Sequence, residues 1–249
     1  MAFSFLQKGA ASANLAKKAA QEQEARKSDQ GKLFRFWLKE GEEARITFVD
    51  WDLTPDGYLL PHRYYEHNLF LNGSWNNFFV CPEKTHPELK DKCPICEGQD
   101  RPALVALFTI IDHRVIQSTK DKTKVYKDTK KLLVAKSQTF EILNKHAVKR
   151  GGLACCTFDV SRVGDKSASV GSMFDFVEKR DLKELQKLYM VERVDPKTNL
   201  KMKLTNFTPA DYEKEIVYRT GEELRKLGLG KLETQEVGAG EKVDYSSEL

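Results

Sequence analysis

The chain has 249 residues and a formal net charge of +4, and 40% of its residues are hydrophobic and 31% charged. This composition is typical of a folded globular protein and excludes a wholly disordered one, and no apolar run approaches the roughly 18 residues of a membrane helix. The apolar start before Lys8 is too short for a secretory signal, so we expect a cytosolic protein without a membrane partner.

The two ends of the chain differ in composition from the middle. Before residue 33, six Lys and Arg residues oppose three acidic ones, and large apolar side chains are few. After residue 232, five acidic residues oppose Lys242 alone. These patterns predict a basic flexible N-terminal arm (1–31), a folded core (32–230) and an acidic disordered tail (231–249).

The core begins with segments that have the pattern of β-strands. Residues 44–51 alternate apolar and polar side chains, and residues 58–67 follow a turn sequence at 55–57. The turn dipeptide Asn-Gly at 72–73 opens an aromatic run that suits a strand. Residues 103–115 are the most apolar segment and predict a long buried strand.

The second half of the core mixes strands with helices. The predicted elements are an exposed lysine-rich loop or hairpin (117–131), a strand (132–137), a helix ended by two glycines (137–152) and a hairpin (154–177). Beyond residue 178 the pattern becomes charged and helical, with predicted helix starts at Thr208 and Thr220.

Three cysteines and three histidines lie between residues 62 and 96. The sequence Cys-Pro-Ile-Cys at 93–96 has the spacing with which two thiolates share one cation in a tight turn. Five cysteines without an export signal favour free thiols over disulfides. The predicted metal ligands are His67, Cys81, Cys93 and Cys96, with His62 and His86 as alternative nitrogen donors.

The predicted donor set, one nitrogen and three sulfurs, favours Zn²⁺ over Mg²⁺ or Ca²⁺, which prefer oxygen. Four protein ligands leave no position for water, so we predict a structural zinc and a protein that is not an enzyme. The H-x-E motif of zinc deaminases is missing before the Cys-Pro-Ile-Cys sequence. Cys155 and Cys156 are adjacent and predict core thiols, because neighbours in a strand point to opposite faces.

The motif His67-x4-Asn72-Gly73-x-Trp75, followed by Cys81 and Cys-Pro-Ile-Cys, resembles the zinc-bearing segment of the single-stranded DNA-binding (helix-destabilising) proteins of T-even-type phages. Residues 41–48, the segment KKLLVAKSQTFEILNKHA and the hairpin 155–177 are also similar to that family. The resemblance covers about residues 35–230. The loop between Cys81 and Cys93 is slightly longer here, and the arm lacks that family's compact Lys/Arg-Ser/Thr cluster.

The resemblance implies a mainly β fold with α: an OB-fold core (a five-stranded barrel), an inserted zinc-binding subdomain (about 62–100) and C-terminal helices. It implies a sequence-independent protein that coats and protects single-stranded DNA during phage replication, recombination and repair in the cytoplasm of the bacterial host. The arm would support self-association along the strand. The acidic tail would contact replication or recombination proteins.

A protein of this kind needs cations for phosphates and aromatic faces for unpaired bases. The chain interleaves both, and residues 120–131 alone hold six lysines against two aspartates. The predicted DNA-binding residues are Arg63, Tyr64, Tyr65, Trp75, Arg114, Lys122, Lys124, Tyr126, Lys127, Lys130, Lys131, Lys136 and Arg162.

Two other functions remain compatible with the sequence. A zinc-stabilised enzyme that processes nucleic acid would need carboxylates for Mg²⁺, and Asp50 and Asp52 lie together without a second convergent pair. A phage transcription or interaction factor would use the zinc loop to hold a protein-binding surface.

Overall fold

A computed structural model of the chain describes residues 32–71, 73–117, 122–194 and 201–230, and the predicted arm and tail lie outside these residues. The strands are β1 (Glu43–Phe48), β2 (Arg63–Leu71), β3 (Ser74–Val80), β4 (Ala103–Asp112), β5 (Ile116–Gln117), β6 (Val125–Tyr126), β7 (Thr129–Lys136), β8 (Cys156–Ser161), β9 (Met173–Lys179), β10 (Met190–Val194) and β11 (Lys201–Thr205). The helices are α1 (Pro82–Thr85), α2 (Pro94–Glu97), α3 (Ser137–Arg150), α4 (Leu182–Leu188), α5 (Tyr212–Glu215) and α6 (Gly221–Lys226), with a 3-10 turn at Pro87–Leu89. Within the described ranges, no helix has the length and apolar composition needed to cross a membrane.

Strand β4, the most apolar segment, organises a large antiparallel sheet. One edge of β4 pairs with β2 through residues 103–106 and with β1 through residues 110–112. Its other edge pairs with β7 along residues 105–112. The sheet continues from β1 to β8 and β9, and from β2 to β3. The predicted mainly β fold with some helices is therefore confirmed.

The N-terminal part of the core runs beside β7, at the edge of the sheet. Arg35 forms a parallel bridge with Leu132, and the Phe36 N–H donates to the Leu132 carbonyl at 2.8 Å. The Leu38 N–H donates to the carbonyl of Ser169, between β8 and β9, at 2.7 Å. No pairing joins β7 to β9 in the part of the chain that is described. The large sheet is thus shown, whereas closure into a five-stranded barrel remains a prediction.

The main core lies between β1, β4, β8 and helix α3. Phe48 lies at its centre and contacts Phe108 and Phe158 edge to face, with ring centres 5.8 and 5.6 Å apart. Leu143 and Ala147, one turn apart on α3, are fully buried in the same cluster. Every second residue of a strand points to the same face of the sheet, which places Phe48 and Phe108 on the side that faces this cluster.

The C-terminal segment packs on the outer face of β4 through a buried polar network. The Thr109 N–H donates to the Asp50 carboxylate at 3.1 Å, and the Tyr212 hydroxyl donates to the same carboxylate. The Ala210 N–H donates to Thr109 Oγ1 at 2.9 Å. These long-range bonds keep the segment before residue 212 out of a helix, so the predicted helix start at Thr208 is wrong and α5 begins at Tyr212.

Asp50 gives this network a dependence on pH. Burial raises the pKa of Asp50 to about 6, against hydrogen bonds from Tyr212 and Thr109 that lower it. The folded protein therefore binds this proton more tightly than the unfolded chain does, and stability falls as the pH rises from about 4 to about 6. As the pH rises from about 4 to about 6, the unfolding free energy of Asp50→Asn should therefore increase by about 3 kcal/mol relative to that of wild type.

Urea unfolding of both proteins at each pH measures this difference. Titration of the metal ligands is common to both proteins and cancels when one free energy is subtracted from the other. A difference that stays constant between pH 4 and pH 7 would show that Asp50 does not titrate in this range.

Candidate metal centre

Four metal-binding side chains come together at the base of the β2–β3 hairpin. His67 lies on β2, and Cys81 directly follows β3, which pairs with β2. Cys93 immediately precedes α2, and Cys96 lies within that helix. One ligand atom of each residue lies within 4.8 Å of the others, and all but Cys96 are buried. The cluster could hold a metal ion.

The distances between the ligand atoms fit a tetrahedral ion. Cys93 Sγ lies 3.4 Å from His67 Nε2, Cys96 Sγ lies 3.6 Å from the same nitrogen, and Cys81 Sγ lies 3.6 Å from Cys96 Sγ. Metal–sulfur bonds of about 2.3 Å and metal–nitrogen bonds of about 2.0 Å set at tetrahedral angles separate the ligand atoms by about 3.5–3.8 Å. These three separations therefore match those expected around such an ion, and all four ligand atoms lie within 4.8 Å of one another.

Cys81 and Cys93 have the same local backbone. Each precedes a short helix that begins with proline, with φ and ψ of −79° and 109° at Cys81 and −84° and 113° at Cys93. The Cys81 carbonyl accepts from the Thr85 N–H at 3.0 Å, and the Cys93 carbonyl from the Glu97 N–H at 3.1 Å. Proline presets the helical φ and needs no N–H partner at this position. The repeated Cys-Pro sequence thus forms the same turn at two places, and each turn positions one thiol.

Carboxylates outside the cluster orient its members. His67 Nδ1 lies 2.5 Å from Asp100 Oδ2, so Nδ1–H donates to the carboxylate and Nε2 faces the thiols. The Cys93 N–H donates to Glu83 Oε2 at 3.1 Å, and Lys92 donates to the other oxygen of Glu83 at 3.2 Å. Histidines that bind metals characteristically donate their second N–H to a carboxylate, which fixes the ring and its tautomer.

Helix α6, near the C-terminal end of the described residues, packs against the cluster. Leu224 is fully buried against Cys81 and Cys93. The Gly221 N–H donates to Asp91 at 2.8 Å, and a Cβ added at Gly221 would lie 2.1 Å from the Lys92 carbonyl oxygen. Only glycine permits this close approach. The predicted helix start at Thr220 is confirmed as a complete capping box.

The electrostatics of the cluster favour a cation. Burial, together with the neighbouring Cys81 and Cys93 thiols, raises the pKa of the Cys96 thiol. Buried thiolates this close together repel one another and are stable only when a positive ion lies between them. Three sulfurs and one imidazole in a buried pocket therefore fit a metal cation.

The structure brings all four predicted ligands together and leaves both alternative histidines outside. His86 is exposed and lies 2.9 Å from Glu88, and the ring of His62 contacts Trp51. Strand pairing decides between the histidines, because only His67 lies on the hairpin stem opposite the segment that leads to Cys81.

The remaining two cysteines take no part in the metal centre. Cys155 and Cys156 are buried, and the Cys156 thiol donates to the Gly152 carbonyl at 3.5 Å. The prediction that they are core thiols is confirmed.

Some of the predicted DNA-binding residues are engaged within the protein. Tyr64 is buried and donates to Glu66, and Tyr65 packs against the metal cluster. Arg114 and Lys131 both bind the buried carboxylate of Asp112. Lys130 donates to Thr208 Oγ1, and Arg162 to the carbonyls of Leu38 and Asp165.

The other predicted residues are exposed to solvent. Tyr126 and its neighbours lie on the β5–β6 hairpin, Arg63 begins β2, and Lys136 precedes α3. The exposed members are Arg63, Trp75, Lys122, Lys124, Tyr126, Lys127 and Lys136. The side chains of this group are accessible to a ligand from solvent.

Sequence reasoning missed residues outside the motif that support the metal centre. Asp100 and Leu224 carry no motif of their own, and only the fold brings them to His67 and to the thiols.

Comparisons of the chain with protein-family models, curated proteins and solved structures find no match. Any proposal about function therefore rests on the residues themselves.

Proposed function

We propose that the protein binds single-stranded DNA without sequence preference and that its metal centre holds a structural Zn²⁺. Thiolates and imidazole are the ligands that zinc prefers, and the spacing of the ligand atoms suits its tetrahedral geometry. All four ligands come from the protein, so the ion would hold the hairpin in place rather than activate water.

The observation that carries this proposal is a group of cations and aromatic rings near the start of β2, with two close contacts among its members. The Trp51–Lys136 row consists of Trp51, His62, Arg63, Phe140 and Lys136. The rings of Trp51 and His62 have centres 5.2 Å apart, and the Arg63 guanidinium lies 4.0 Å from the centre of the Phe140 ring. Lys136 precedes Phe140 by one turn of α3, and His62, Arg63 and Lys136 are exposed.

This row has the chemistry that an unpaired strand requires. Single-stranded DNA presents negative phosphates and flat base faces at regular intervals, and each stacked base contributes about 1–3 kcal/mol to binding. Arg63 lies against the Phe140 ring, and Lys136 is one helical turn before Phe140 in the chain, so the phosphate and the base of one nucleotide can find complementary partners there. Stacking accepts any base, which supports binding without sequence preference.

Trp51 is held rigidly within the row. Its indole N–H donates to the Leu107 carbonyl at 2.9 Å, and its ring stacks on Tyr212 with an interplanar angle of 19°. Its backbone has a φ of 73°, which is rare for a bulky residue. Conformations of this kind cost free energy and cluster at binding sites, which supports a ligand-binding role for Trp51.

The rest of the proposal rests on the resemblance to the phage proteins. We propose that the sheet forms an OB-fold, that the basic arm supports self-association on the strand, and that the acidic tail contacts replication or recombination proteins in the host cytoplasm. An enzyme that processes nucleic acid is less well supported, because Asp50 is buried and bound by Thr109 and Tyr212.

Fluorescence anisotropy with labelled oligo(dT) and a duplex of equal length tests the proposal over a range of salt concentrations. We expect tight, salt-sensitive binding to oligo(dT) and much weaker binding to the duplex. Arg63→Ala and Lys136→Ala should each weaken binding and reduce the slope of log K against log salt by about 0.7.

Lys183→Ala, which removes an exposed lysine from α4, serves as the control and should leave affinity and slope unchanged. A preference for the duplex, or equal losses in all three variants, would contradict the proposed function.

A further inference from the structure

The tip of the β2–β3 hairpin presents two large aromatic rings to solvent. Phe70 is 56% exposed and Trp75 60% exposed, and their ring centres lie 5.2 Å apart with planes inclined by 49°. Among the described residues, strand β2 pairs with β4 only as far as Glu66, and beyond that residue it pairs only with β3. The two rings, here called the hairpin tip, therefore lie beyond the part of the hairpin that is attached to the large sheet.

The Asn77 side chain braces the backbone beneath the rings, in addition to the pairing of β2 with β3. The Asn77 amide donates to the carbonyls of Leu69, Leu71 and Ser74, at 3.3, 3.1 and 2.8 Å. Ser74 Oγ in turn accepts from the Asn76 N–H at 3.1 Å. The stem of the same hairpin carries the metal ligand His67 and leads into Cys81. The rings are thus held on a support that is ordered before any ligand arrives, which reduces the entropy lost on binding.

The chemistry of the hairpin tip differs from that of the Trp51–Lys136 row. Residues 68–80 contain no Lys, Arg, Asp or Glu, although 31% of the whole chain is charged. The tip therefore offers flat, neutral surfaces and no charged group that would bind a phosphate. A nucleobase is flat and neutral as well, and it stacks on aromatic rings of any orientation that leaves a face open.

The size of the surface also selects the occupant. A Phe and a Trp bury about 150–250 Å² each when fully covered. Little more than half of each is exposed here, so the two rings supply about 200–300 Å². Stable protein–protein interfaces bury about 800 Å² on each partner. One or two bases need no more area than the rings provide.

We propose that the hairpin tip is a stacking site for unpaired nucleobases, separate from the Trp51–Lys136 row and independent of charge. This inference rests on the proposed function and adds that two groups of residues contribute to affinity in different ways. Cations of the row contribute salt-dependent affinity, whereas Phe70 and Trp75 contribute affinity that salt does not change.

Binding of oligo(dT) to Trp75→Ala and Phe70→Ala over a series of salt concentrations tests this difference. Each variant should bind about 5- to 100-fold more weakly at every concentration, with the slope of log K against log salt equal to that of wild type. Trp75→Phe should retain most of the affinity, because a phenyl ring still stacks. Metal content and thermal unfolding of each variant show whether the hairpin remains folded.

A strand of the same length without bases separates stacking from every other contact. With this abasic oligomer, wild type, Trp75→Ala and Phe70→Ala should bind equally. If the tip variants bind oligo(dT) as wild type does, while Arg63→Ala and Lys136→Ala lower the slope, the stacking site is refuted and the proposed function stands. A lower slope in Trp75→Ala also refutes it. If wild type binds no single strand, both proposals fail.

Discussion

Replacing His67 by alanine is expected to remove the metal ion and to destabilise the protein strongly. The substitution leaves three sulfurs and breaks the link from the β2 stem through His67 to Asp100. An ion that binds only the folded protein stabilises it by about 4 kcal/mol when its free concentration is a thousand times Kd. The total stability of a domain is only about 5–15 kcal/mol, so this loss is a large part of it. Elemental analysis and thermal unfolding measure both effects.

His86→Ala is the matched control, since His86 lies close to the ligands in sequence but outside the cluster in space. It should keep the metal and the unfolding temperature of wild type. Limited proteolysis adds a spatial test, because loss of the ion should expose α6 as well as the loop between Cys81 and Cys93. Retention of the ion in His67→Ala, or its loss in His86→Ala, would overturn the ligand assignment.

The second large effect concerns the ion pair that ties the N-terminal part of the core to β2. Arg35 donates to both oxygens of Glu66, at 2.9 and 2.5 Å, and to the Tyr64 hydroxyl, and it lies 3.6 Å from the centre of the Phe78 ring. The Glu66 side chain is only 5% exposed and that of Arg35 24%. Arg35→Ala leaves a buried carboxylate without its cation and should cost about 3 kcal/mol.

Arg45→Ala provides a matched comparison, because Arg45 also binds a carboxylate, that of Asp159, through two hydrogen bonds. That pair is exposed, with 55% and 48% of the two side chains accessible, so water replaces the lost partner and stability should hardly change. Urea unfolding compares the two variants. Adding Glu66→Gln to Arg35→Ala should recover part of the loss, because it removes the stranded charge, and equal losses in Arg35→Ala and Arg45→Ala would contradict the argument.

Local patterns predicted the strands of the large sheet and the candidate metal ligands well because both depend on spacing along the chain. They missed the β10–β11 hairpin, which lies where a charged and helical pattern was predicted. Alternating side chains identify a strand wherever they occur, and the Cys-Pro-Ile-Cys spacing identifies a metal-binding turn. The choice among His62, His67 and His86 could not be made this way. It depends on which histidine the pairing of β2 with β3 places beside Cys81.

Errors arose where contacts distant in sequence override a local signal. The proline after Thr208 suggested a helix start, but bonds from Ala210 and Tyr212 to residues about a hundred or more positions earlier keep that segment out of a helix. Charge alone suggested Arg114 and Lys131 as DNA-binding residues, and the fold pairs both with Asp112, so their part in DNA binding stays a prediction. A cation's partner is a property of the fold, and charge counted along a sequence cannot reveal it.

The position of α6 over the thiols has a consequence for how the protein is made. Cys96 leaves the ribosome more than a hundred residues before Leu224, the apolar residue that covers Cys81 and Cys93. At translation rates of about 5–20 residues per second, the complete ligand set exists on the order of ten seconds before its cover. The growing chain therefore passes through a stage in which the metal-binding loop is open to its surroundings, and synthesis of α6 ends that stage.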